Sequence, residues 1–180
     1  HGAARGLSGL FACGEAACWD LHGFNRLGGN SVAETVVAGM IVGEAIADFC
    51  ATPAGDMHVS TALVRDCREQ ENTRFAVLAA SRGPESASIL MQRMQAIMSE
   101  RVGIVRNGED LTAAVDELKS LLLRSRQIGL RSSAPGANPE LTTAWRVQKM
   151  LKLALCVAYG ALQRSESRGA HFRADFPRRD

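Results

Sequence analysis

Apolar residues recur at helical spacing through most of the chain. From Val32 to about Cys50 they cover most faces of one predicted helix, whose many small residues favour close packing inside a larger domain. Four more helices follow, separated by glycine, proline and other turn signals. The first is predicted over residues 57–80, and the next two around stripes of apolar residues at 90–102 and 111–122. The last runs from Pro139 to about Gln163, with Asn138 as the N-cap. Helices joined by such short breaks favour a bundle.

One strand, one loop and a helix start are predicted before these helices. Residues 10–13 (LFAC) are apolar and bounded by glycines, as in a short buried strand. A glycine-rich loop follows over residues 19–30. Ser31 and Glu34 have the spacing of an S-x-x-E capping box, in which each side chain accepts from a free N–H at the helix start. The fold class is therefore mainly α, a C-terminal bundle of three to four helices preceded by a strand, a loop and a helix.

Composition and charge exclude several classes of protein. Apolar residues make up 46% and charged residues 22% of the 180 residues, which is normal for a soluble globular protein. The net charge of +2 and the scattered arginines give no case for nucleic-acid binding. The five cysteines are widely spread without a CxxC pair, and the four histidines are isolated, so no metal site or disulfide framework is indicated. Three acidic residues interrupt the apolar stretch from Val32 to Phe49, which favours a buried helix over a membrane span.

Composition changes at two places along the chain. Residues 52–55 (TPAG) end the first long helix and mark a domain boundary. Residues 164–180 are rich in arginine, which is typical either of a solvated face or of a surface that pairs with a partner's carboxylates. The predicted organisation is a first segment over 1–51, a helical domain over 52–164 and an arginine-rich tail over 165–180.

Three features of the loop region carry candidate chemistry. Arg26 offers a planar fork of donors that suits a carboxylate, and a surface arginine is the alternative. Glu15 follows a strand end, where a carboxylate can accept from the hydroxyls of a ribose or ribitol chain, and a solvated loop acid is the alternative. A helix start at Ser31 and Val32 favours developing negative charge, and a plain cap is the alternative. Composition and spacing name no cofactor.

Two long signatures carry a resemblance to a known family. Residues 9–18 (GLFACGEAAC) and 22–31 (HGFNRLGGNS) closely resemble the flavoprotein subunit of fumarate reductase and succinate dehydrogenase. Residues 166–171 (ESRGAH) with 175–177 (DFP) are similar to the C-terminal motif of the same family. Within it, Phe24 and Val32 resemble the menaquinol-linked fumarate reductases more than the succinate dehydrogenases. The resemblance therefore implies that residues 1–51 are the last strand, loop and helix of an α/β FAD-binding domain.

The resemblance implies a role for each matching residue. Arg26 aligns with the arginine that binds a substrate carboxylate, Glu15 with the glutamate on the FAD ribose or ribitol hydroxyls, and Ser31 and Val32 with the pair beside the flavin. His22 lies in the same loop and receives no firm role. The implied reaction is hydride transfer from FAD to fumarate, giving succinate. The implied partners are an iron–sulfur subunit and a membrane cytochrome b subunit, with the protein peripheral on the cytoplasmic side of a bacterial inner membrane.

The start of the chain has no initiator methionine and leads almost at once into the strand, so a fragment of a longer protein is expected. By itself this chain is expected to hold no FAD tightly and to be inactive. The alternatives for the parent are a succinate dehydrogenase or an L-aspartate oxidase, and the latter usually has leucine where this chain has Ala170. The remaining alternative is an isolated helical docking module without catalysis.

Overall fold

The computed structural model describes residues 2–17, 21–54, 60–132 and 136–180. The chain divides into two compact units, His1–Val64 and Arg65–Asp180. The boundaries placed from sequence at residues 52 and 165 stay predictions. Parts of several sequence predictions lie outside the described residues: residues 18–20 of the first signature and the glycine-rich loop, Gly55 of the boundary, residues 57–59 of the helix predicted over 57–80, and Pro135, a turn signal before the last helix.

In the first unit, the strand predicted over residues 10–13 is reduced to a single antiparallel bridge between Ala3 and Phe11. The Ala4 amide donates to the Leu10 carbonyl over 2.9 Å, and the Ala12 amide donates to the Gly2 carbonyl over 2.9 Å. A strand is stabilised by ladder hydrogen bonds to its neighbours, and the described residues give this segment one short partner. The chain then turns directly into a 3-10 helix, Gly14–Ala17.

Helix α1 (Gly28–Cys50) completes the first unit. Ala38 and Val42 are its buried residues, and Phe49 packs edge-to-face on Phe11 with ring centroids 5.6 Å apart. Larger apolar side chains of this helix are exposed within the described part of the chain: Val32, Val36, Val37, Met40, Ile41 and Ile46. A helix that is apolar on several faces is typical of the interior of a larger domain.

The second unit is a helical bundle. Helix α2 (Thr61–Ala80) crosses the division between the units, and it is followed by α3 (Ala87–Arg101), α4 (Gly108–Arg124) and α5 (Pro139–Gln163). A 3-10 turn, Ser125–Gln127, follows α4. Two short strands, β1 (Val105–Arg106) and β2 (Phe172–Arg173), pair in parallel. The mainly α fold class predicted from sequence is confirmed.

The core of the bundle lies between α3, α4 and α5. The predicted stripes supply most of it, because helical spacing places their apolar side chains on one face. The fully buried large residues include Leu90 and Ile97 on α3, Leu111 and Leu118 on α4, and Leu151 on α5. No helix among the described residues is both long and apolar enough to cross a lipid bilayer.

Two asparagines cap the helices of the bundle. The Leu141 amide donates to Asn138 Oδ1 over 3.1 Å, and Pro139 occupies the first turn, so the N-cap predicted for α5 is confirmed. The Asp110 amide donates to Asn107 Oδ1 over 2.8 Å. Asn107 and Gly108 are therefore the N-cap and the first residue of α4.

Replacing Asn138 with alanine should lower the free energy of unfolding by about 1 kcal/mol, because one N–H at the start of α5 loses its acceptor. Urea denaturation of the 180-residue chain measures the change. Asn72 is the matched control, since it is exposed in the middle of α2, where alanine is the better helix former. Equal destabilisation by Asn138→Ala and Asn72→Ala would show that the cap contributes nothing.

Candidate functional site

The structure brings two of the predicted site residues together. Arg26 lies two residues before α1, and Glu15 lies in the 3-10 helix after the β-bridge. Arg26 Nη1 is 2.9 Å from Glu15 Oε2, and the side chains are 39% and 79% exposed. An ion pair this exposed is weak, because water solvates both partners well. The guanidinium can therefore exchange Glu15 for another carboxylate at little cost.

The start of α1 differs from the predicted capping box. The helix begins at Gly28, with Leu27 as an extended N-cap residue that has no side-chain hydrogen bond. Ser31 already lies inside the first turn, where its amide donates to the Leu27 carbonyl over 2.8 Å. A residue with helical backbone cannot act as the N-cap, so the capping role of Ser31 was wrong. The helix starts one turn earlier, through Gly28 and Gly29, which were predicted to lie in the loop.

Ser31 and Val32 nevertheless lie in the first two turns of α1, close in sequence to Arg26. Val32 is 67% exposed, and the Ser31 carbonyl accepts from Thr35 Oγ1 over 2.9 Å. The structure thus gathers the four predicted residues (Glu15, Arg26, Ser31 and Val32) around the 3-10 helix and the start of α1. Their roles in binding a cofactor and substrate stay predictions. We call these four residues the loop site.

Two polar atoms beside the loop site were missed as candidates. His22 Nε2 and Glu34 Oε1 are buried, and neither has a hydrogen-bond partner among the described residues. An unpaired buried polar atom costs free energy, and native structures rarely contain one without an identifiable reason. The sequence placed His22 in the loop without a firm role and treated Glu34 as half of a cap. Burial of a single atom is a tertiary property, which residue spacing does not reveal.

No group of three or more histidine, cysteine, aspartate or glutamate side chains within the described ranges is arranged to hold a metal ion.

The second signature forms a structural site of its own. Arg173, 2% exposed, pairs through two hydrogen bonds of 2.8 Å with Asp175. Its Nη1 also donates to the carbonyls of Ala161, Leu162 and Arg164 at the end of α5, over 3.0 to 3.1 Å. A cation there is favourable because helix C-termini carry free carbonyls and negative partial charge. We call Arg173 and Asp175 the tail clamp.

The tail clamp also reaches the start of α4. Asp175 Oδ2 accepts from the Gly108 amide over 2.9 Å. A Cβ on Gly108 would lie 3.0 Å from that oxygen, so glycine allows the close approach. The positive partial charge of a helix N-terminus stabilises a carboxylate, just as the negative partial charge of a C-terminus stabilises a guanidinium. One ion pair therefore joins the end of α5 to the beginning of α4.

The neighbouring arginines of the tail are also paired within the chain. Arg164 Nη2 lies 2.9 Å from Glu166 Oε1, and Arg168 Nε lies 3.1 Å from Glu166 Oε2. The solvated face considered from sequence was therefore wrong for Arg173, and Glu166 of the same chain pairs with both Arg164 and Arg168. The reason is tertiary, because β2 pairs with β1 and draws this part of the tail onto the bundle.

Stability should depend on pH through these two acids. Hydrogen bonds from Arg173 lower the pKa of Asp175 from 3.8 to about 2. Hydrogen bonds from Arg164 and from the Asp180 amide lower the pKa of Glu166 from 4.5 to about 2. The unfolded chain then takes up protons at a higher pH than the folded chain. The stability from both groups is present above their ordinary pKa values and should be lost as the pH falls toward 2.

Thermal unfolding followed over that pH range measures the effect. Asp175→Asn and Glu166→Gln should each flatten the decline of the melting temperature with acidification. Glu109 is the control, as an exposed acid that forms no hydrogen bond or ion pair with the described residues, and Glu109→Gln should leave the slope unchanged. An identical slope in all three variants would contradict the assignment.

The chain is similar to known proteins over nearly its whole length. A family model described as fumarate reductase flavoprotein C-term matches residues 91–180. A model described as FAD binding domain matches residues 2–32, which include all four residues of the loop site. The second match confirms the FAD-binding character expected of this part of the chain, and the extent of that domain to residue 51 stays a prediction.

Individual relatives agree with the family models. The fumarate reductase flavoprotein subunit of Helicobacter pylori is 48% identical over 174 residues, which are 97% of this chain and 24% of the relative. The 8-methylmenaquinol:fumarate reductase flavoprotein subunit of Wolinella succinogenes is 34% identical over 97% of this chain and 28% of the relative. The solved FrdA chain of E. coli quinol fumarate reductase matches with a TM-score of 0.82 and 32% identity, over 96% of this chain and 29% of that one. The chain spans less than a third of the length of each of these proteins.

Proposed function

Since this chain belongs to the fumarate reductase flavoprotein family, we propose that it is the C-terminal part of the flavoprotein subunit of a quinol:fumarate reductase. The parent protein reduces fumarate to succinate with electrons from a quinol. One observation carries the proposal: Arg26 presents a half-exposed guanidinium beside Glu15, within the segment that matches an FAD-binding domain.

Arg26 binds a carboxylate of the substrate in this proposal. Its planar donors match the two oxygens of a carboxylate, and it stays charged at every working pH. Binding one end of the dicarboxylate fixes the orientation of the double bond that is reduced. The same positive charge stabilises the negative charge that develops on the substrate as the reaction proceeds.

The start of α1 fits a flavin cofactor. No side chain caps the helix at Leu27, and a Cβ on Gly28 or Gly29 would meet nothing within 4 Å, so backbone donors and open space lie together. The buried His22 Nε2, which has no hydrogen-bond partner among the described residues, supplies a further polar atom in the same segment. An uncapped helix start stabilises negative charge in its neighbourhood.

Three residues of the loop site hold FAD in this proposal. Ser31 and Val32 lie beside the flavin at the start of α1, and Glu15 accepts hydrogen bonds from the sugar hydroxyls. FAD, when bound, supplies the redox chemistry. Because the Glu15–Arg26 pair is exposed, each partner can turn to its own ligand with a small loss of free energy.

The partners follow from the same proposal. An iron–sulfur subunit and a membrane cytochrome b subunit bring electrons to the flavoprotein, which lies on the cytoplasmic side of a bacterial inner membrane. The exposed apolar face of α1, with Val36, Val37 and Met40, packs against the rest of the FAD-binding domain in the parent.

The test is an assay of the full-length parent. Purified protein should show flavin absorbance and reduce fumarate with a reduced dye as electron donor. The Bacillus subtilis succinate dehydrogenase flavoprotein subunit is also 30% identical to this chain, so succinate oxidation is measured alongside. Oxidation of L-aspartate without fumarate reduction would overturn the proposal in favour of an L-aspartate oxidase.

A further inference from the structure

A groove with an apolar floor and a basic rim lies in the second unit, between α2, α5 and the 3-10 turn after α4. Its volume is about 480 Å³. Val77, Leu78, Ile128 and Trp145 line the floor. Val77 is 66% exposed, although an apolar side chain of this size gains free energy from burial. We call this feature the basic groove.

Four cations stand around the floor: Arg74, Arg126, Lys149 and Lys152. One carboxylate, Glu71, lines the basic groove with them, and it accepts a hydrogen bond from Arg74. Arg126 and Lys152 form no hydrogen bond or ion pair with the residues that the structure describes. The groove thus concentrates positive charge on a chain whose acids and bases nearly balance overall.

Trp145 is held in place at the floor of the groove. Its ring meets Phe75 edge-to-face at 5.7 Å, and Lys149 Nζ lies 4.3 Å from the ring centroid. Both contacts fix the indole and leave it half-buried. Rigid aromatic side chains in partly desolvated positions, with arginines nearby, are the usual centres of protein–protein interfaces.

The lining does not suit a small anion such as a phosphate. The groove is lined by the bodies of α2 and α5 rather than by a helix N-terminus, so backbone N–H groups do not converge in it. Its neutral polar side chains are already engaged, since Ser81 Oγ donates to the Ile128 carbonyl and Gln148 Nε2 donates to the Ser125 carbonyl. The cations instead stand on three separate elements around an apolar strip.

We propose that the basic groove binds an acidic segment of a partner protein, which inserts an aromatic or leucine side chain onto Trp145 and pairs its carboxylates with Arg126, Lys149 and Lys152. The apolar floor buries the anchor, and the unpaired cations select acidic sequences and speed their association. This inference concerns the bundle alone and does not depend on the proposed reaction.

The test measures the binding of a fluorescent acidic peptide with one central phenylalanine to the 180-residue chain by anisotropy. Lys152→Glu should weaken binding about tenfold, because an attractive charge becomes a repulsive one. Arg146 is the matched control, since it is an exposed cation on the same helix outside the groove, and Arg146→Glu should change binding little. Equal losses in both variants would overturn the proposal, because they would show that the peptide binds through general charge attraction rather than in the groove.

Further measurements distinguish the acidic peptide from other possible ligands of the groove. A peptide with serine in place of phenylalanine should bind more weakly, and equal binding would remove the role of the apolar floor. Displacement of the peptide by inorganic phosphate, or groove-dependent binding to vesicles of anionic lipid, would overturn the proposal in favour of those ligands. A dimer of this chain that Lys152→Glu dissociates would assign the groove to a second copy. Binding to this chain but not to the full-length parent would show that the parent itself covers the groove.

Discussion

Replacing Arg26 with alanine in the full-length flavoprotein should lower the rate of fumarate reduction at least about a hundredfold. Alanine removes the donors that orient the substrate carboxylate and the charge that stabilises the transition state. Because the side chain is 39% exposed and its one described partner is the exposed Glu15, the fold should tolerate the change. The measurement is steady-state reduction of fumarate by a reduced dye, with flavin content determined from absorbance.

Controls separate a role in the reaction from a role in folding. Arg5 is the matched control, since it is an exposed arginine of the same unit without an ion pair to the described residues, and Arg5→Ala should keep full activity. Arg26→Lys keeps the charge and loses the planar fork, so activity should fall between those of the wild type and Arg26→Ala. Unchanged activity of Arg26→Ala, with normal flavin content, would show that this arginine does not bind the substrate.

The second large effect is expected at the tail clamp. Replacing Arg173 with alanine should lower the free energy of unfolding by about 3 kcal/mol. The substitution leaves the carbonyls of Ala161 and Leu162 without their donor and Asp175 without its cation. It also removes the side-chain hydrogen bonds that hold the tail against the end of α5. Urea denaturation of the 180-residue chain, followed by circular dichroism, measures the loss.

Arg179 is the matched control for this prediction. It is an exposed arginine of the same tail without a hydrogen bond or ion pair to the described residues, and Arg179→Ala should change stability little. The double variant Arg173→Ala/Asp175→Ala should lose less than the sum of the single losses, since each single change leaves a charge without its partner. A loss from Arg173→Ala no larger than that from Arg179→Ala would mean that the tail does not clamp the bundle.

Local sequence patterns predicted the helices of the bundle well. Leu111, Val115 and Leu118 of the predicted stripe lie buried on α4, and Asn138 caps α5 directly before Pro139, as predicted. Such features depend on residues within a few positions of one another, so spacing carries the information.

The same patterns failed where a second segment decides the outcome. Residues 10–13 have the composition of a strand, but strand formation depends on partners distant in sequence. The pattern at Ser31 and Glu34 satisfies a capping box, yet α1 begins at Gly28, and Glu34 Oε1 is buried instead. In both cases the local sequence pattern is present, and contacts with other parts of the structure decided which conformation it adopts.

The sequence by itself determined the helices, four of their limits (Cys50, Ala80, Pro139 and Gln163) and the family, because periodicity, caps and contiguous signatures are local properties. Only the tertiary structure placed Arg26 against Glu15, buried Arg173 between the ends of two helices, and gathered four cations around Trp145. Asp175 and the Gly108 amide that donates to it are 67 residues apart. Contacts of that kind form only after the chain has closed its loops and buried its core, so no short window of sequence contains them.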